Sequence, residues 1–97
     1  MATIEERIYD ANRAKEVLEN EAFQAAFADI ENEVIEQWKT SPARDEAGRE
    51  KLWIYLSMLQ KLKAHLETTL QTGKLAQLEV EHRQTLAQRV GSALFPN

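Results

Sequence analysis

A chain of 97 residues forms one domain at most. The absence of cysteine excludes disulfides, thiol catalysis and thiolate metal sites. Its net charge of −4 argues against general affinity for nucleic acid, because a phosphate backbone attracts a basic surface. No stretch approaches the roughly 20 apolar residues of a membrane-spanning helix, and we expect neither a signal peptide nor membrane association. Domains this small often gain stability from disulfides, metals or oligomerisation, and of these oligomerisation is the one that this composition favours.

The first forty residues show helical periodicity in two apolar stripes. Thr3 and Glu6 form a capping-box pattern that starts a helix. The weaker stripe follows it, and the stronger one comprises Phe23, Phe27, Ile30, Val34 and Trp38. The pattern predicts a long helix over about residues 3–40. Asn20 lies between the stripes and is a suitable cap for the second, which leaves open whether the helix breaks there.

The segment TSPARDEAGREKLW, residues 40–53, interrupts this periodicity and predicts a corner. Pro42 disfavours helical geometry at the residue before it, so the next helix is expected from about residue 43. Ser41 and Asp45 are competing N-caps for that helix. Gly48 weakens its first turn relative to alanine, which indicates that a neighbour approaches closely.

A third stripe is the strongest and predicts a helix over about residues 43–72. Gly73 offers a C-terminal stop, because glycine readily takes the left-handed conformation found there. The fourth stripe predicts a helix over about residues 74–90; it consists of Leu75, Leu78, His82, Leu86 and Val90. We expect that helix to fold back; the alternative is a straight rod of nearly 50 residues. An apolar tail, SALFPN, occupies residues 92–97.

These elements predict an all-α fold: an antiparallel helical hairpin with a third, C-terminal helix, bundle-like and oligomeric. The hairpin would bring Trp38 and Trp53 to the same end. Charge is unevenly divided, with 6 Lys/Arg against 13 Asp/Glu in residues 1–50 and 6 against 3 in residues 51–97. The balances of −7 and +3 suit antiparallel halves, or copies that meet head to tail. The lysines of the second half are spaced rather than clustered, which favours a solvated face over a nucleic-acid site.

Catalytic and metal chemistry is not expected. No Gly-rich phosphate loop, Walker motif or nucleophile elbow is present. Glu79 and His82 have the Glu-x-x-His spacing of di-iron bundles, but this spacing has no second copy in the chain. His65 flanks the third stripe, where a surface or interface role is the simpler interpretation. We therefore expect no enzyme activity, no cofactor and no metal.

Residues 22–76 resemble a set of small, uncharacterised helical proteins of tailed phages and prophages. The shared pattern is an aromatic-acidic helix, an Ala-Arg-Asp corner, Gly-Arg-Glu-x-Leu-Trp, and a helix that ends in Thr-Gly-Lys-Leu-Ala. This resemblance implies a biological context, the cytoplasm of an infected bacterial host or the virion itself. It implies no reaction.

Three functions fit that context. The first is a virion structural or assembly component that oligomerises through its helices and docks on a phage structural protein. The second is an inhibitor of a host defence protein or a sponge for a nucleotide signal, and the third is an accessory of DNA packaging or replication. The predicted partner-binding residues lie in the corner and in the tail: Arg44, Arg49, Lys51, Trp53, Leu94 and Phe95.

Overall fold

The computed structural model of the chain describes residues 2–94, and side chains up to residue 91. It contains three helices: α1 (Ile4–Glu19), α2 (Glu21–Thr40) and α3 (Glu46–Leu94). No strand occurs within the described part of the chain. The all-α prediction is confirmed. The side chain of Leu94 and the whole of Phe95, two of the predicted contact residues, lie outside the described residues.

Side-chain caps begin the first two helices. The Glu6 N–H donates to Thr3 Oγ1 at 3.1 Å, and the Phe23 N–H donates to Asn20 Oδ1 at 2.9 Å. Asn20 has extended backbone angles, φ −69° and ψ 121°, so it ends α1 as well as capping α2. The predicted helix over residues 3–40 is therefore two helices. The break lies at Asn20, the residue at which the sequence allows either a break or a continuous helix.

The second half of the chain differs from the prediction of two helices. α3 is a single helix of 49 residues, in place of the predicted helices 43–72 and 74–90. It starts at Glu46 and passes through Gly73 and Gly91 without a break, so the expected fold-back after residue 73 is wrong. At 1.5 Å per residue such a helix is roughly 70 Å long, which accounts for most of the 79 Å length of the molecule.

Position 73 of α3 requires glycine, because α1 passes this residue at very short range. A Cβ atom on Gly73 would overlap Ala11 Cβ and would lie 2.8 Å from the carbonyl oxygen of Arg7. Ala11, Ala14 and Ala76 are the buried apolar side chains of this contact region. Small residues on both helices thus let the two backbones approach, and glycine at position 73 supplies space rather than a helix stop.

α1 and α2 lie antiparallel to α3 and cover only part of it. The end of α2 lies beside Leu52 and Trp53, and α1 lies beside the segment from Thr68 to Gln77. Residues 81–90 of α3 are all exposed; we call residues 81–94 the terminal arm. The radius of gyration is 21.9 Å, against about 13 Å for a compact chain of this length. The hairpin is therefore an open, elongated rod rather than a closed bundle.

Candidate functional site: apolar surfaces of the hairpin

The corner between α2 and α3 is closed by local hydrogen bonds. The Ser41 N–H and Oγ both donate to the carbonyl of Trp38, at 3.3 and 2.6 Å. Asp45 caps α3, because its Oδ1 accepts from the Gly48 N–H at 3.1 Å. A Cβ atom on Gly48 would collide with that same carboxylate. Of the two competing caps Asp45 is therefore the N-cap, and the close neighbour predicted at Gly48 is the cap itself.

Arg49 holds the corner together. Its guanidinium lies 4.1 Å from the centre of the Trp38 ring. Its Nη1 donates to Ser41 Oγ at 2.9 Å and to the Trp38 carbonyl at 3.2 Å. The carbonyls at the end of a helix lack partners within the helix; the Trp38 carbonyl accepts from Ser41, and Arg49 adds a further donor from across the corner. Arg49 therefore has a structural role in the corner. Its predicted role as a partner-binding residue would be additional to this one.

The other predicted corner residues do not form one cluster. Arg44 and Lys51 are exposed and form no ion pair within the described part of the chain. Lys51 and Trp53 are two positions apart on α3, and residues at that spacing do not face each other on a helix. Trp53 is 64% exposed. Trp53 is therefore available for contact, but not as part of a combined cationic and aromatic site with Lys51.

Both tryptophans line one apolar groove at the corner end of the hairpin, as the sequence predicts. We call it the corner groove; its volume is about 230 Å³ and it is lined by Val34, Ile35, Trp38, Leu52, Trp53 and Leu56. No polar side chain lines it. Its chemistry suits an apolar side chain of a partner and offers nothing to hold a charged ligand.

A second, larger surface shares Val34 with the corner groove. We call it the apolar shelf; its volume is about 510 Å³ and it is lined by Ile30, Val34, Tyr55, Met58, Leu59 and Leu62. Ile30, Tyr55, Met58 and Leu62 are exposed, Met58 to 58%. Contiguous groups of large exposed apolar side chains are uncommon on the surfaces of monomeric globular proteins.

The predicted partner-binding residues do not include the shelf residues, although Tyr55, Leu59 and Leu62 belong to the third apolar stripe, whose pattern is typical of a coiled-coil or bundle surface. A signal for them exists in the segment LWIYLSML, residues 52–59, which is apolar on more than one face of α3. One neighbouring helix covers only one face of such a segment. The excess apolar width thus predicts a second neighbour, and α1 and α2 do not provide it.

A third apolar surface continues along the second half of α3. We call it the arm stripe, and it consists of Leu75, Leu78, His82, Leu86 and Val90, all exposed. Leu75 is 67% exposed and Val90 57%, whereas the adjacent Ala76 is 1% exposed. Ala76 faces α1, so the arm stripe lies on a side of α3 that α1 leaves open.

The structure offers no cluster for metal chemistry in the part that it describes. No group of three or more His, Asp or Glu residues is close enough to hold a metal ion there. Glu79 Oε1 accepts from Arg83 Nη2 at 2.7 Å, so this carboxylate is engaged by an arginine one turn away. Within residues 2–94 no helix is long and apolar enough to cross a membrane.

The chain matches no family model, no curated protein and no solved structure. Three surfaces carry most of the large exposed apolar side chains of the described residues: the corner groove, the apolar shelf and the arm stripe.

Proposed function

We propose that the chain is a non-enzymatic interaction protein that works by helix-mediated self-association. One observation carries this proposal: the buried apolar side chains in the described residues are alanines, Ala11, Ala14 and Ala76, whereas the large apolar side chains on α2 and α3 are only half-buried or exposed. In an ordinary small domain the large side chains fill the core, and the small ones are incidental. Here no large apolar side chain of residues 2–91 is fully buried.

The energetics support association. Burial stabilises by about 25 cal/mol for each Å² of apolar surface removed from water, and an alanine side chain offers little such surface. Most of the large exposed apolar side chains of the described residues lie on the shelf, the groove and the stripe, and their exposed area stabilises the fold only after a second molecule covers it. Obligate homodimers often have no stable folded monomer, so that their stability depends on protomer concentration.

The resemblance to small proteins of tailed phages supplies the context of the proposal. A self-associating helical rod suits a structural or assembly component of the virion, made in the cytoplasm of the infected host. A rod of 79 Å with apolar faces can join larger protein parts without a catalytic centre. Such a component should co-purify with particles at a fixed copy number. Its loss from particles washed in high salt would count against this role.

A second candidate is an inhibitor that binds a host protein at the corner. The exposed Trp53 beside the apolar corner groove favours it, because exposed tryptophans next to pockets are frequent binding hot spots. The all-apolar lining favours a protein partner over a nucleotide signal, since no cation lines the groove. DNA binding stays the weakest candidate, because the lysines of α3 are spaced along the helix.

The solution mass tests self-association. Light scattering on the eluting peak of a size-exclusion column, at several protein concentrations and two salt concentrations, should give a fixed multiple of the 11.1 kDa chain mass. Met58→Lys on the shelf should reduce that mass, since it buries a charge in the contact. Gln60→Lys, an exposed position outside the shelf lining, is the matched control and should leave it unchanged. A well-folded monomer at every concentration would refute the proposal.

A further inference from the structure

One residue separates α1 from α2. Residues 4–40 contain neither glycine nor proline, so none of the usual helix breakers lies in this part of the chain. Asparagine as a residue type is not the cause, because Asn12 and Asn32 lie inside α1 and α2. The break at Asn20 therefore depends on the capping hydrogen bonds at this position.

Hydrogen bonds satisfy both helix ends at the break. Asn20 Oδ1 accepts from the Phe23 N–H at 2.9 Å, and the Asn20 N–H donates to the Val17 carbonyl at 3.1 Å. Gln24 Nε2 donates to the Leu18 carbonyl at 2.7 Å. A continuous helix would give the same backbone groups partners of its own, through bonds between residues four positions apart. The broken and the continuous helix thus compete, and the Asn20 side chain favours the break.

The break changes the direction in which α1 faces. Ala11 meets α3 at Gly73, and Val34 lies between α2 and α3, where it lines both the corner groove and the apolar shelf. Ala11 and Val34 are 23 positions apart. At about 100° per residue, an unbroken helix would turn about 2300° between them, which is about 140° more than six full turns. With Val34 on α3, Ala11 would then point largely away from α3.

Small side chains hold α1 on α3. The buried residues of α1 are Ala11 and Ala14, which remove little apolar surface from water. Arg7 Nε is buried and has no hydrogen-bond partner within the described part of the chain, and an unpaired buried donor costs stability. The contact by itself therefore stabilises the position of α1 only modestly.

We infer that Asn20 is a conformational lock: its cap turns α1 onto α3, and loss of the cap releases α1 into one continuous helix with α2. Release uncovers the small residues of α3 around Gly73 and Ala76, together with the side of α1 that packs on them. The lock acts within one chain and is independent of the proposed self-association. It makes α1 the part of the hairpin that opens while α2 stays on α3.

The effect of Gly73→Ala on Tm tests the lock, because this substitution reports whether α1 lies on α3. With α1 in place, the added Cβ overlaps Ala11 Cβ, and Tm should decrease. In the Asn20→Ala background that overlap is gone, so only the gain in helix propensity remains and Tm should rise, by up to about 8 °C. A decrease of the same size in both backgrounds would overturn the inference.

Two further variants are controls for the change at position 20. Asn32→Ala makes the same substitution at an exposed position inside α2, and in this background Gly73→Ala should still lower Tm. Asn20→Asp keeps an oxygen that caps α2, so the decrease should persist there as well. A rise in Tm in the Asn32→Ala chain would assign the effect to helix propensity in general and would also overturn the inference.

Hydrogen exchange of the unchanged chain gives a measurement that depends on no variant. A detached α1 is a helix of 16 residues, and isolated helices near this length are only marginally stable in water. Its backbone amides should therefore exchange as a group, faster than those of α2 and of the α3 segment beside it. Exchange of α1 and α2 at one common rate would show that they open together, and the lock would be rejected.

Discussion

Replacing Gly73 by alanine should stabilise α3 as a helix but destabilise its packing against α1. In an exposed helix this change stabilises by up to about 1 kcal/mol, because glycine loses more backbone freedom on folding. At Gly73, however, the new Cβ would overlap Ala11 Cβ and would lie 2.8 Å from the Arg7 carbonyl oxygen. A backbone carbonyl moves only if α1 moves with it.

The balance can be estimated from these two terms. Overpacking costs about 1–3 kcal/mol in general, and contact with backbone favours the upper part of that range. After subtraction of the gain in helix propensity, we expect Gly73→Ala to lower the free energy of unfolding by about 1–2 kcal/mol. In a chain of this size each kcal/mol corresponds to a decrease in Tm of about 4–8 °C.

Thermal unfolding followed by circular dichroism at 222 nm measures the effect, at one fixed protein concentration because association raises Tm. Gly91→Ala is the control inside the same helix: a Cβ there meets nothing within 4 Å, so this variant should be as stable as the wild type or more stable. Ala11→Gly should partly rescue Gly73→Ala, since it removes one of the two overlapping atoms. The reasoning fails if Gly73→Ala stabilises the protein as much as Gly91→Ala does.

Three predictions concern the corner, each measured by urea unfolding. Arg49→Ala should lower the free energy of unfolding by about 1–2 kcal/mol, because the Trp38 ring loses its cation and two acceptors lose a donor; an unchanged stability would show that the corner does not need it. Trp53→Ala should cost far less than the about 3–5 kcal/mol of a buried tryptophan, while it weakens association or partner binding. Asp45→Ala should cost about 1 kcal/mol as the loss of an N-cap, and Asp45→Asn should retain most of that stability.

The all-α fold class and the caps at Thr3 and Asn20 can be read from the sequence, because helix signals are local, whereas the single long α3 cannot. Thr3 and Asn20 cap helices through hydrogen bonds to residues three positions away, and an interaction over that distance is readable in the chain. The apolar stripes identify, for the same reason, the helix faces that are able to pack against a neighbour. The corner at Pro42 and the meeting of both tryptophans at one end also followed, since a hairpin turn places its two flanks together.

The role of Gly73 and the shape of the rod depend on packing between helices. As a local signal, glycine is equally a helix stop and a point of close approach, and the choice depends on Ala11, more than sixty positions away. The same holds for Arg49, whose acceptors lie on α2 across the corner. The shelf and the arm stripe are visible in the sequence as apolar patterns. Their lack of a covering helix is not, because exposure depends on where α1 and α2 end along α3.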